Sequence, residues 1–126
     1  SIGLDELLQK SDVVTLHLPK NDSTNNILNK DRLQMLKKDA ILINLARGGL
    51  LDESALKKIL IDEDIAGAAL DVFSVEPPID SEFAHLDNVL VTPHIGGSTE
   101  EAILAMGLAA IDGLDNAKDP LSFLSY

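Results

Sequence analysis

Four short apolar runs recur along the chain with helix-patterned segments between them: DVVTLHLP at 12 to 19, AILINL at 40 to 45, AGAALD at 66 to 71 and NVLVTP at 88 to 93. None alternates apolar with polar residues, the mark of strands buried on both faces, and alternation with helices is how parallel strands are joined. The first run is rich in β-branched residues and closed by proline, which ends its strand near His17. Leu4, Leu7 and Leu8 predict a short amphipathic helix ahead of it, and Asn29 caps a second predicted helix from about Lys30 to Lys37. DESALKKIL at 52 to 60 predicts a third helix, capped by Asp52, with acids in its first turn and lysines near its end, the order the helix dipole favours. Ser98-Thr99-Glu100-Glu101 reads as a capping box opening a long helix to about Lys118. The expected architecture is α/β: half of a doubly wound parallel sheet, about four strands with helices on both faces.

Charge narrows the partners. The 126 residues carry 21 acidic and 10 basic groups, a formal charge of -11 that repels nucleic acid and anionic lipid surfaces. An anionic ligand would have to be held by local groups. The longest apolar stretch, Ala102 to Ile111, is far short of the ~18 residues of a membrane span. The chain has no cysteine, which fits a reducing, cytoplasmic setting, and no metal site is expected. It begins at Ser1, three residues before a helical pattern, and reads as a piece of something longer. The terminal PLSFLSY holds two of the four aromatics beyond a helix stop at Pro120, as a tail with something to dock against would.

In a sheet of this kind right-handed crossovers bring every strand's carboxyl end to one edge, where ligands bind. The residues after each run therefore belong together: Leu18 and Pro19; Ala46, Arg47, Gly48 and Gly49; Asp71 and Glu76; Pro93, His94, Ile95, Gly96 and Gly97. An arginine offers a planar fork for a carboxylate or 2-oxo acid. Histidine passes a proton either way near neutral pH, and a neighbouring carboxylate orients its ring and favours its charged form. Glycines admit a flat ligand close to the backbone. Taken singly, Arg47 reads more readily as a salt-bridged rim residue and Glu76 as a solvated loop acid, His94 reads as well as a structural histidine, and Asp71 also reads as a turn cap. His17 and His85 are read as structural, the first because its strand should be buried, the second because it lies in a polar loop.

At larger scale the chain resembles the cofactor domain of the D-isomer-specific 2-hydroxyacid dehydrogenases, most closely the D-3-phosphoglycerate dehydrogenase branch. The resemblance rests on LLQKSDVVTLHLPKNDSTNNILN (7 to 29), LKKDAILINLARGGLLD (36 to 52), AALDVFSVEPP (68 to 78) and TPHIGGST (92 to 99), and covers about residues 4 to 110. It implies a Rossmann-like fold, NAD as cofactor with NADP open, a 2-hydroxy or 2-oxo acid substrate, a homodimer formed through this domain and a place in serine biosynthesis. It implies a catalytic set of Arg47 on the substrate carboxylate, His94 as proton acceptor and Glu76 orienting His94. By the same likeness Leu18, Pro19, Thr24, Leu45, Ala46, Arg47, Asp71, His94, Gly96 and Gly97 line the cofactor, with Asp71 facing the nicotinamide.

The family's G-x-G-x-x-G turn and the acid that reads the ribose are absent from these residues, as is its substrate domain. The resemblance thus implies a partial NAD-binding domain over 1 to 119, lacking the glycine-rich half, and a tail at 120 to 126 leading toward the substrate domain. The 126 residues alone are expected to be inactive and to associate through an exposed sheet edge. A rival reading is a non-enzymatic dinucleotide-sensing or corepressor-like module of the same fold. A formate or phosphite dehydrogenase is another, against which glutamate rather than glutamine at position 76 argues.

Overall fold

The computed structural model describes residues 1 to 78 and 82 to 117, and the chain divides into a unit spanning Ser1–His94 and a second beginning at Ile95. In the first unit, helix α1 (Leu4–Lys10) leads into strand β1 (Val13–Leu16); helix α2 (Lys30–Leu33) precedes β2 (Ile41–Asn44). Helix α3 (Glu53–Ile61) precedes β3 (Gly67–Leu70), and a 3-10 turn at Glu82–His85 precedes β4 (Val89–Val91). The four strands form one sheet in the order β1-β2-β3-β4, all neighbours parallel, with Leu16 level with Asn44, Asn44 with Leu70 and Leu70 with Val91. The segments that follow all four strands therefore emerge at one edge.

Each crossover advances one strand in the same direction, so a constant right-handed sense puts the connecting helices on one face. Burial agrees: Val14, Leu16, Leu42, Ala68 and Leu70 are buried with Leu8, Leu33, Leu56 and Leu60 of the helices. The intervening Val13, Ile41 and Leu90 are exposed. Within this unit the outward residues of β1 are exposed, whereas β3 is buried or half-buried at every residue; at β1 the lack of alternation in the sequence reflects apolar residues on both sides of the pleat and not burial of both. His17 continues the outward series of Val13 and Thr15. It lies past the end of β1, exposed, its Nε2 3.0 Å from Thr15 Oγ1, and is not the buried histidine expected. His85 is also exposed, at the end of the 3-10 turn between β3 and β4.

Local chemistry sets the helix limits. Asn29 caps α2 by accepting from Arg32 N at 3.0 Å, but beyond Leu33 the bonds Met35 N to Arg32 O and Leu36 N to Leu33 O span three residues, so the helix tightens and stops short of Lys37. Asp52 caps α3 by accepting from Ala55 N at 2.9 Å, with Leu56, Ile59 and Leu60 on its buried side. Helix α4 (Glu100–Asp115), in the second unit, is capped by Thr99, which accepts from Ala102 N at 3.1 Å. Ser98 is one residue outside, so the capping box expected from Ser98 gives way to a Thr99 cap. The tail at 120 to 126 lies outside the described residues, as does Lys118.

Candidate active site

Two loops at the carboxyl edge are built around each other. After β2, Asn44 is 1 % exposed; its Nδ2 donates to Arg47 O at 3.0 Å and its Oδ1 accepts from Ala46 N at 3.2 Å, which folds the chain into a tight turn. Gly48 then passes so near the loop after β3 that a Cβ there would lie 1.9 Å from Phe73 O. Only glycine permits that approach. On its far side the same loop is tied to α3, whose Glu53 Oε1 accepts from Ser74 N at 2.6 Å and from Ser74 Oγ at 2.7 Å.

This loop positions Glu76. Its Oε1 accepts from Phe73 N at 2.9 Å and its Oε2 lies 2.6 Å from His94 Nδ1. With both oxygens engaged the carboxylate has a fixed plane, and it fixes the imidazole's orientation in turn. The His94 hydrogen bond, then the Phe73 N–H, hold the Glu76 carboxyl below the usual glutamate range, against partial desolvation and the charge of Asp71. His94 itself has φ 55°, a left-handed backbone uncommon outside glycine, of the kind found at sites where geometry is imposed by function. Nearby, Asp71 is 2 % exposed and accepts from Thr92 Oγ1 at 2.5 Å. Asp71, Phe73, Glu76, Thr92, Pro93 and His94 line a cleft of about 350 Å³.

Arg47 lines a second cleft, of about 520 Å³, with His17, Leu18, Pro19, Lys20 and Leu45. One guanidinium nitrogen, Nη1, donates to Ala46 O at 2.6 Å, and the side chain is exposed. The structure thus brings Glu76 and His94 into contact and leaves Arg47 in a neighbouring cleft, joined to theirs through the Gly48–Phe73 approach. Leu18 and Leu45 are 38 % and 50 % exposed, giving this second cleft apolar walls. Thr24 turns its hydroxyl inward, donating to Pro19 O at 2.6 Å, so it shapes the loop after β1. Gly96 and Gly97 belong to the second unit. Sequence reasoning missed Asn44, whose signal was a lone amide in an apolar strand, and Thr92, Glu53 and Lys20, which carry no local signal. Among the described residues no group of three or more His, Cys, Asp or Glu could hold a metal ion, and no helix is long and apolar enough to cross a membrane.

Residues 1–96 match the family described as D-isomer specific 2-hydroxyacid dehydrogenase, NAD binding domain. Among curated relatives, D-3-phosphoglycerate dehydrogenase of Methanocaldococcus jannaschii is 48 % identical over 82 % of this chain and 20 % of its own length. Hydroxypyruvate reductase of Thermotoga maritima is 41 % identical over 88 % and 37 %. A crystal structure of a glyoxylate reductase from Paecilomyes thermophila superposes with a TM-score of 0.86 at 35 % identity, covering 92 % of this chain and 35 % of that one. The chain thus spans between a fifth and somewhat over a third of the length of the proteins it matches. With four parallel strands whose carboxyl ends share one edge and a match of residues 1–96 to the family's NAD-binding domain, the chain belongs to the D-isomer-specific 2-hydroxyacid dehydrogenases.

Proposed function

We propose that the natural polypeptide carrying this sequence is an NAD-dependent enzyme that interconverts a D-2-hydroxy acid and its 2-oxo acid, of the D-3-phosphoglycerate dehydrogenase kind, and that it works as a homodimer through this domain. The observation that carries the reading is the 2.6 Å contact of His94 Nδ1 with a Glu76 carboxylate already pinned by Phe73 N–H. Nδ1 is committed to Glu76, so Nε2 is the nitrogen that takes the proton from the substrate's C2 hydroxyl, or returns it to the carbonyl oxygen. Glu76 stabilises the imidazolium formed when it does. Arg47, with its fork exposed at the same sheet edge, holds the substrate carboxylate and polarises the carbonyl.

The residues suit the cofactor as well. The exposed apolar walls of Leu18, Pro19 and Leu45 match the face of a flat ring, with the Ala46 backbone beside them. Asp71 sits in the cleft next to the His94–Glu76 pair, where it would meet the carboxamide end. Gly96 and Gly97 are assigned to the cofactor by motif alone, and Thr24 through the loop it shapes. When bound, NAD supplies the acceptor for hydride leaving C2 of the substrate. Of the substrates, 3-phosphoglycerate is favoured by the 48 % identical relative named for it.

The test is NADH-linked reduction of phosphohydroxypyruvate, hydroxypyruvate and glyoxylate by the natural polypeptide and its His94→Ala variant. The variant should lose roughly 10²- to 10⁴-fold in kcat, the range of general acid-base catalysis, while NADH binding persists. Undiminished turnover without the imidazole would overturn the assignment.

A further inference from the structure

We infer that Glu53, in the first turn of α3, is a positioning residue for the His94–Glu76 pair, acting through the loop after β3; the inference rests on the reaction proposed above. Glu53 is half-buried, and one of its oxygens, Oε1, accepts from Ser74 N at 2.6 Å and from Ser74 Oγ at 2.7 Å, across 21 positions of the chain. The amide one residue earlier, Phe73 N, donates to Glu76 Oε1 at 2.9 Å, and Glu76 Oε2 lies 2.6 Å from His94 Nδ1. Successive N–H groups of one loop thus each meet a carboxylate. One carboxylate belongs to the pair that moves the proton, the other to a helix.

Two ordinary explanations for Glu53 fall short. An acid in the first turn of a helix gains from the helix dipole, which requires no partner from a distant loop. Nor does Ser74 need Glu53 to satisfy its polar groups: it is exposed, and water would serve its N–H and hydroxyl. What the contact adds is a fixed place for the loop. Glu76 is exposed as well, so its aim depends on where the backbone of Phe73 and Ser74 stands. That backbone is held at several points. Phe73 is 7 % exposed with its ring centroid 6.1 Å from that of Phe83, and a Cβ on Gly48 would lie 2.6 Å from Ser74 N. Gly48 and Glu53 belong to one short stretch, the turn after β2 and the start of α3, which grips the loop with bare backbone and with a charged acceptor. A charge-assisted hydrogen bond is the strong kind, and a misplacement of about 1 Å at a reacting group costs up to about 10²-fold in rate.

Kinetics of the natural polypeptide carrying Glu53→Ala, with and without Glu76→Gln, test it. In NADH-linked reduction of a 2-oxo acid, Glu53→Ala should lower kcat about 10- to 100-fold while the NADH dissociation constant stays unchanged. Glu53→Gln, which keeps an acceptor oxygen, should recover most of that loss. In the Glu76→Gln background the alanine substitution should cost less than about threefold, because the group it acts through is already altered. A residue that only holds the fold together would lower kcat by the same factor in both backgrounds, and equal factors overturn the inference. Ser74→Ala, which removes the hydroxyl and leaves the backbone donor, supplies the same comparison if Glu53→Ala fails to fold. Thermal unfolding at neutral pH reads the coupling without turnover: Glu76→Gln should destabilise the Glu53→Ala protein less than it destabilises wild type, and equal losses again overturn the inference. Absence of turnover with every 2-oxo acid defeats the proposed reaction, and the unfolding comparison then decides by itself whether Glu53 positions the pair.

Discussion

Glu76 has two oxygens with separate duties, one accepting from Phe73 N–H and one facing His94. Both contacts favour its charged form, and its carboxyl is accordingly held below the ordinary glutamate range. A folded-state value below the unfolded one means that the stabilisation is complete above the unfolded value and disappears as pH falls through the folded one. Thermal unfolding of wild type and Glu76→Gln, followed from neutral pH into acid, should therefore show a wild-type advantage that shrinks on acidification. A gap that stays constant across that range would mean the carboxylate's charge plays no part. In turnover, Glu76→Gln keeps the shape but loses the charge that stabilises the imidazolium, so kcat should fall by on the order of 10²-fold or more.

The β2 strand and its turn join two of the expected site residues, and they show what could be read in advance. The parallel order and the common edge were legible because apolar runs, prolines and glycines report strands and their ends. Arg47, Glu76 and His94 could be placed on that edge for the same reason. What could not be read was which of them meet: Glu76 and His94 are 18 residues apart and touch, whereas Arg47 turns into another cleft. That distribution is decided by Asn44 and Gly48, whose partners lie on the following turn and the next loop. His17 was misread because an apolar run was taken as buried on both faces when only alternate residues are. Asn44→Ala would leave Arg47 O and Ala46 N without their partner in a half-buried turn, at a cost of about 0.5–1.5 kcal/mol; urea unfolding measures it. Gly48→Ala should do more, about 3 kcal/mol, because the new methyl meets backbone and not a flexible side-chain end. It also displaces the Phe73–Ser74 segment that aims Glu76, so kcat should fall in parallel. An alanine variant with wild-type stability and rate would show that the two loops are not coupled.

For the molecule as a whole, the apolar surface left uncovered within each unit matters most. In the first unit Val13, Ile41 and Leu90 are exposed on one sheet face, and among the described residues β1 pairs on one side only. In the second, Ile103, Leu104, Met106, Leu108 and Ile111 of α4 are each more than half exposed. Apolar area of this kind is worth roughly 25 cal/mol per Å² when buried, and an open strand offers a row of unpaired backbone groups. Opposing association is the charge of -11, which makes every pair of copies repel. The two tendencies respond differently to salt. Repulsion is screened as the Debye length falls from ~30 Å at 0.01 M to ~3 Å at 1 M, whereas apolar burial is not weakened. Light scattering of the 126-residue chain should therefore show self-association that rises with concentration and strengthens with sodium chloride. Contacts held by ion pairs would give the opposite trend, dissociating as salt is added. A chain that stays monomeric at high concentration in 1 M salt would mean that the exposed apolar residues do not drive contact between copies, and would remove the support they give to a homodimer formed through this domain.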